Sequence, residues 1–403
     1  MHIAVVGGSV AGSALAVLLG RAGHSVTVYE RSSGELKGRG AGLSMPSQLM
    51  ELLIDQDLLD TDTESVRPRD RVWCVADGRS PTGRTIATQR MVNQFIRYGQ
   101  LYQNLNRRAD GVEYRTGAEL VSLGQDFAKP RVITRAGDDG EYDVVVGADG
   151  YGSTVRRILF PSVRPEYAGY PAWRGVADIP DADAWPVVSS LQSPCIRRGH
   201  GNFYLVPPDD PLGRGMRRVN WLIYDGGAPA ELLGMADTSS SSEVHSVAPG
   251  RMTQRQLSYL HDLAKDQLPP WHAGIVLQTR EPYVQPLYDL EIERYARGRV
   301  CLIGDAATVA RPHTGSGASK ALQDALALSL ALKEASDPDY APVALERYSV
   351  DRAEAGNRLV ALGRQLGRDQ VTGAPDWTKL DQESFHQWAD ATSTNSAYYV
   401  SRS

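Results

Sequence analysis

The stretch Ile3-Ala-Val-Val-Gly7-Gly-Ser-Val-Ala-Gly12 decides the fold. An apolar run of strand length meets a knot of glycines, then an apolar helical stretch from Ser13 to Arg21, then a second apolar run from Ser25 to Tyr29. Strand, helix and strand in such short compass predict a parallel pair joined by a right-handed crossover. The glycines allow a tight turn and let the helix begin close to the strand, so that free N–H groups and the positive helix end converge on one point. A dinucleotide pyrophosphate suits that point, which makes Gly7, Ser9, Val10, Ala11 and Gly12 candidate cofactor contacts. Ser9 stands where the fingerprint has its second glycine. Glu30 ends the second strand, where a carboxylate meets the hydroxyls of an adenosine ribose, and Arg31 follows it. This motif alone does not choose between a flavin and a nicotinamide dinucleotide.

Working outward, a chain of 403 residues is long enough for two interlocked domains. A net charge of −5 with no basic stripe excludes the phosphate-neutralising surface that nucleic-acid binding needs. Cys74, Cys195 and Cys301 are an odd number at wide spacing, with no paired framework and no metal clip, so a reducing compartment and no metal are expected. The N-terminus lacks a basic segment before its short apolar run, and no apolar stretch reaches the roughly 18 residues that span a bilayer. The expectation is a cytoplasmic protein without a membrane partner, monomeric or homodimeric.

Two further turn motifs follow strands. Gly147-Ala-Asp-Gly-Tyr-Gly-Ser-Thr-Val-Arg156 comes after the apolar run Tyr142 to Val146. Its Asp149 reads either as a ligand contact or as part of a turn in which Ser153 caps a helix. Gly298-Arg-Val-Cys-Leu-Ile-Gly-Asp305-Ala-Ala runs from a strand into a loop, and Pro312 and Gly315-Ser-Gly317 then open a long helix. An aspartate at a strand's carboxyl end, beside helix N–H groups, suits a ribityl hydroxyl and the carbonyl edge of a flavin. That adds Gly304, Asp305, Pro312, Gly315, Gly317, Ala318 and Ser319 to the candidates.

Helices are predicted at 47–59, 94–107, 317–335 and 342–366, and short strands fill 112–146. The texture of 167–224 is alternating strand, with Pro207 to Gly215 as a hairpin loop. The serine-rich segment from Thr238 to Ser246 reads as a polar surface loop. The predicted fold class is α/β, a Rossmann-like FAD-binding domain with a parallel sheet, interleaved with a mostly antiparallel substrate sheet and followed by C-terminal helices. The expected division is 1–166 and 291–335 for the FAD-binding domain, 167–290 for the substrate domain, and 336–403 for the C-terminal helices and tail.

The three motifs in this order resemble the class A flavoprotein monooxygenases built on the p-hydroxybenzoate hydroxylase fold. The segments Tyr167-Ala-Gly-Tyr-Pro-Ala-Trp-Arg-Gly-Val176 and Arg311-Pro-His look like the 2,6-dihydroxypyridine hydroxylase branch. The resemblance implies tight, non-covalent FAD, NAD(P)H as a transient reductant, and dioxygen activated at the flavin C4a position to hydroxylate a small electron-rich aromatic or N-heteroaromatic ring. The alternative is a larger phenolic or indolic substrate. It also implies that Glu30 holds the adenosine ribose, Asp149 serves pyrophosphate and NAD(P)H, Asp305 holds the ribityl chain, and Arg39 in the glycine-rich loop contacts the phosphates or the flavin. Thr308 and Ser319 depart from the family's usual histidine and asparagine.

For a base that deprotonates the ring, His313 is the first candidate, because it follows Pro312 and an imidazole titrates near working pH. His200 and Tyr224 are the other catalytic candidates. Tyr170, Trp173, Tyr204 and His200 are candidates to face the ring. Arg174 can fix an anionic substrate or close an ion pair, and the ion pair is the preferred reading.

Overall fold

The computed structural model describes residues 1–34, 42–208, 215–233, 247–335 and 337–396. His2–Val6 lies in the middle of a six-stranded sheet, between Ser25–Glu30 and Val144–Gly147. Glu113–Thr116 extends one side and Val300–Leu302 the other, all in parallel, and Ala296–Arg297 closes the edge antiparallel. The central strands are near-continuous apolar runs because both of their faces are covered: Ile3, Val5, Val28, Val145 and Leu302 are all fully buried. Helices Val10–Arg21 and Gly317–Glu334 pack against each other over this sheet.

A second sheet has seven strands, in the order Tyr283–Asp289, Glu166–Pro180, Met216–Asp225, Gly199–Val206, Ser190–Ile196, Asp70–Val75 and Arg84–Arg90. Every neighbouring pair is antiparallel except Ser190–Ile196 with Asp70–Val75. Its two faces do different work, as strand alternation requires. One face, carrying Trp173, Phe203, Trp221 and Ile223, forms a core with helices Gln254–Gln267 and Pro270–Gln278. The other turns toward the parallel-sheet domain.

The structure departs from the sequence reading in two places. Asp70–Val75 and Arg84–Arg90 belong to the second sheet, so the segment 1–166 supplies strands to both layers. Residues 93–97 form a strand paired with Gly42–Pro46, and the predicted helix begins only at Tyr98. Four of those five residues are buried, so pairing with a distant strand overrides the local helical pattern. The C-terminal helices agree closely, at Gly317–Glu334 and Ala341–Gly367. The tail then returns to the second sheet, where Trp377 stacks on Trp73 with ring centres 5.6 Å apart and Phe385 lies 5.4 Å away. All three cysteines are buried and free. The tip of the predicted hairpin, 209–214, and the serine-rich segment lie outside the described residues, as does Arg39.

Two buried histidines make stability depend on pH. Burial pushes both His200 and His272 down to about 3, helped at His200 by the Arg71 charge. The unfolded chain takes up protons below about 6.5 that the folded chain refuses, so stability is full above that value and falls as pH drops toward about 3. Each histidine adds up to about 1.4 kcal/mol per pH unit to that slope. His272→Phe should therefore show a smaller drop in urea midpoint between about pH 7 and about pH 5 than the wild type. An unchanged drop would remove His272 from this account.

Candidate functional site

A cavity of about 610 Å³ opens between the carboxyl ends of the parallel strands and the inner face of the second sheet. All three turn motifs border it. Gly7 has φ of +107°, and a Cβ there would meet the Ala148 carbonyl oxygen at 2.3 Å; at Gly12 it would meet the Gly7 oxygen at 1.8 Å. Only glycine lets the first and second motifs approach this closely. Ser9 takes the place of the fingerprint's second glycine without blocking the cavity, because its hydroxyl shares a hydrogen bond of 2.7 Å with that of Tyr98. The Glu30 carboxylate lines the cavity while accepting from the backbone N–H of Gly8 at 3.0 Å and of Ser32 at 2.8 Å.

Asp149 resolves the ambiguity of the second motif. Its Oδ2 accepts from the N–H groups of Thr154 at 2.7 Å and Val155 at 3.2 Å, and the Ser153 hydroxyl donates to its other oxygen. Ser153 in turn caps the helix by accepting from Arg156 N at 2.9 Å. The carboxylate thus serves the helix start, and the residue borders the cavity together with Ala148 and Gly150 to Gly152. Burial pushes its carboxyl up from the ordinary range and these hydrogen bonds pull it back.

The third motif is braced from behind. Gly304, at φ +59°, donates its N–H to Asp324 Oδ2 at 2.9 Å, and its carbonyl accepts from Lys320 Nζ at 2.9 Å. Lys320 pairs with Asp324 at 2.8 Å and Arg352 pairs with it at 2.7 Å. The brace turns Asp305 into the cavity, where its carboxylate makes no hydrogen bond or ion pair among the described residues. The side chain is open to the cavity, yet desolvation by the surrounding walls raises its carboxyl from the ordinary range while the Lys320 charge opposes this. Arg31, Val10, Ala11, Pro312, Gly315, Gly317 and Ala318 also line the cavity. Ser319 stands behind the wall against Met45 Sδ. A glycine cradle at a helix start, a ribose-level carboxylate and a free acceptor at a strand end fit FAD.

The candidates for the ring divide differently. Tyr204 lines the cavity, but Tyr170, Trp173, His200, Tyr224 and His313 do not. Trp173 points to the opposite core, donating to Asp225 Oδ2 at 3.1 Å. His313 is buried behind Pro312: its Nε2 shares a hydrogen bond of 2.8 Å with the Tyr170 hydroxyl, its ring lies 3.9 Å from that of Tyr224, and its Nδ1 has no partner. Burial and the nearby His200, Arg311 and Arg71 hold it well below its ordinary value, so the imidazole is neutral. A direct proton transfer from a ring in the cavity to His313 does not match this placement. His200 lies in the same buried cluster, 5.1 Å from Tyr224, with its Nε2 at 3.0 Å from Gln370 Oε1.

The preferred reading of Arg174 as an ion-pair partner does not match its placement. Arg174 lines the cavity and appears in no ion pair among the described residues. Strand alternation carried the signal, because an inward Trp173 on one face puts its neighbour on the other. Leu222, Gln285 and Leu287 complete this wall and had no signal in the sequence.

The FAD binding domain family matches residues 1–183 and 278–362, and an FAD binding domain-like family matches 167–289. The chain is 32% identical to a 2,6-dihydroxypyridine 3-monooxygenase of Paenarthrobacter nicotinovorans over 334 residues, 81% of this chain and 82% of that protein. An FAD-dependent urate hydroxylase of Mycolicibacterium vanbaalenii is 26% identical over 93% of this chain and 90% of its own. The solved 2,6-dihydroxypyridine-3-hydroxylase of Arthrobacter nicotinovorans superposes with a TM-score of 0.81 at 28% identity, covering 93% of this chain and 94% of that one. With the motifs gathered around one cavity and matches of this extent, the chain belongs to the FAD-binding family of class A flavoprotein monooxygenases.

Proposed function

We propose that the chain hydroxylates a small, electron-rich aromatic or N-heteroaromatic ring, with NAD(P)H as reductant and dioxygen as oxidant. The observation that carries this reading is the make-up of the cavity: FAD-holding motifs on one side, and on the other a sheet wall of Arg174, Tyr204, Leu222 and Leu287. Ring and cofactor then share one cavity. Relatives named for dihydroxypyridine, hydroxynicotinate and urate support a small ring.

FAD, when bound, supplies electron transfer from NAD(P)H and the activation of dioxygen. The chain's own part is position, charge and the exclusion of water. Glu30 and the Gly7 to Gly12 turn would hold the adenosine and pyrophosphate end, and Asp305 would accept from the ribityl chain. Asp149 orders the second turn from within. Leu222, Pro286 and Leu287 offer apolar surface against which a ring excludes water, and Tyr204 offers a hydroxyl. The Tyr170, Tyr224, His200 and His313 cluster packs behind this wall and keeps it in shape. No histidine or cysteine among the described residues lines the cavity, which supports a non-covalent cofactor. Three buried free cysteines support a reducing, cytoplasmic setting. Among the described residues no helix is long and apolar enough to cross a membrane.

The direct test is a screen of hydroxylated pyridines, benzoates and purines for stimulated NAD(P)H oxidation, with product mass measured. A product heavier by one oxygen atom is expected. Oxidation that yields only peroxide with every ring would count against hydroxylation.

Asp305→Ala should weaken FAD binding by about 1–3 kcal/mol, and Asp305→Asn by much less, because an amide oxygen still accepts from the ribityl hydroxyl. Titration of apoprotein measures this, and equal affinities for wild type and the alanine variant would refute the assignment.

His313→Gln should keep hydroxylation within about tenfold of wild type, well short of the roughly 10²–10⁴ loss that follows removal of a positioned proton acceptor. Single-turnover kinetics at several pH values decide the point. A loss in the larger range, relieved at high pH, would restore His313 as the base.

A further inference from the structure

The sheet wall of the cavity contains one cation among the described residues, Arg174. It sits on the strand Glu166–Pro180, in register with Leu222 on one side and Tyr283 on the other. The titratable groups that face it are hydroxyls: Tyr283 on the Tyr283–Asp289 strand, Tyr224 on Met216–Asp225 and Tyr204 on Gly199–Val206. Its Nε is buried and has no hydrogen-bond partner. A guanidinium cannot shed its proton, and in this wall it has the Tyr283 hydroxyl as a hydrogen-bond partner but no carboxylate counter-ion among the described residues. Its planar fork matches an oxyanion better than any other partner.

The rest of the cavity sharpens the point. The carboxylates that line it, Glu30, Glu119, Asp149 and Asp305, come from the parallel-sheet domain, and no imidazole lines it among the described residues. Tyr204 is no base at neutral pH, since burial pushes its hydroxyl up to about 12. A hydroxylated ring held against this wall therefore meets a fixed positive charge and no general base. A nearby cation favours the ionised form of an acid, so the proton can leave to water while the oxyanion stays.

Resting on the hydroxylase reading above, we propose that Arg174 binds an anionic oxygen carried by the ring substrate, either an ionised ring hydroxyl or a ring carboxylate. In the first case the same contact raises the electron density of the ring, and the arginine replaces a base. In the second it orients the ring.

Two probes of the FAD-loaded protein distinguish the sources without requiring turnover. The first is 4-nitrophenol, whose ionised form is read by its visible absorbance. The second is benzoate against benzamide, read by perturbation of the flavin spectrum. For an ionised hydroxyl, bound 4-nitrophenol should ionise about one pH unit or more below the free compound, with the shift lost in Arg174→Gln and partly kept in Arg174→Lys. For a carboxylate, benzoate should bind at least about tenfold more tightly than benzamide, a preference lost in Arg174→Gln. The proposal is overturned if the wild type shows neither effect, or if Arg174→Gln with full flavin content shows either at wild-type strength. Should Arg174→Gln fail to fold, the wild-type result and Arg174→Lys decide. A protein that shows the anion preference yet hydroxylates no ring would sink the hydroxylase reading and leave the site standing.

Discussion

The buried carboxylate of Asp324 is the constraint on which the cofactor side depends. It receives the Gly304 N–H, the Lys320 ammonium and the Arg352 guanidinium, and so ties the strand-end loop to the helices Gly317–Glu334 and Ala341–Gly367. Lys320 closes the figure by donating to the Gly304 carbonyl. Ions this deep are costly to dehydrate, and removing one partner leaves the others uncompensated, typically at about 3–5 kcal/mol. The loop is thus locked in a left-handed conformation at Gly304, only 3.2 Å in Cβ terms from Ala11 of the first helix. The geometry of Asp305 follows from that lock.

Charge is divided between the two halves of the cavity. On the cofactor side, carboxylates face a glycine cradle and helix starts, where N–H groups and dipoles already favour oxygen ligands. Glu30 and Asp149 hold backbone N–H groups in place, while Asp305 is left with open acceptor capacity. On the sheet side, a single arginine stands among tyrosines and aliphatic side chains. Such a wall selects by electrostatics, and it needs no titratable group of its own near neutral pH.

The cofactor half was legible because steric demands leave few choices. A turn that brings one backbone oxygen within 1.8 Å of a would-be Cβ must contain glycine. Asp149 was ambiguous in the sequence, since a carboxylate before a helix reads equally as ligand or cap. The ring side was less legible. The pairing of Glu166–Pro180 with Tyr283–Asp289 shifts register between Tyr167 and Pro171, so counting from Tyr167 does not tell which face Trp173 takes. His313 follows a cavity residue in sequence, yet in the short 3-10 turn Pro312–Thr314 consecutive side chains diverge, and the imidazole faces the core. The strand at Asn93–Arg97 depends on a partner some fifty residues earlier, which no local window contains.

The two-faced sheet has an evolutionary consequence. Its outer face is sealed against helices through Trp173, Phe203, Trp221 and Ile223, while the alternate positions Arg174, Tyr204 and Leu222 look into the cavity. Because successive side chains point to opposite faces, a substitution on the cavity side leaves the helix-packed core untouched. Selection for a new ring can therefore act on one set of positions while folding is maintained by the other, and a lineage can change diet without first becoming unstable.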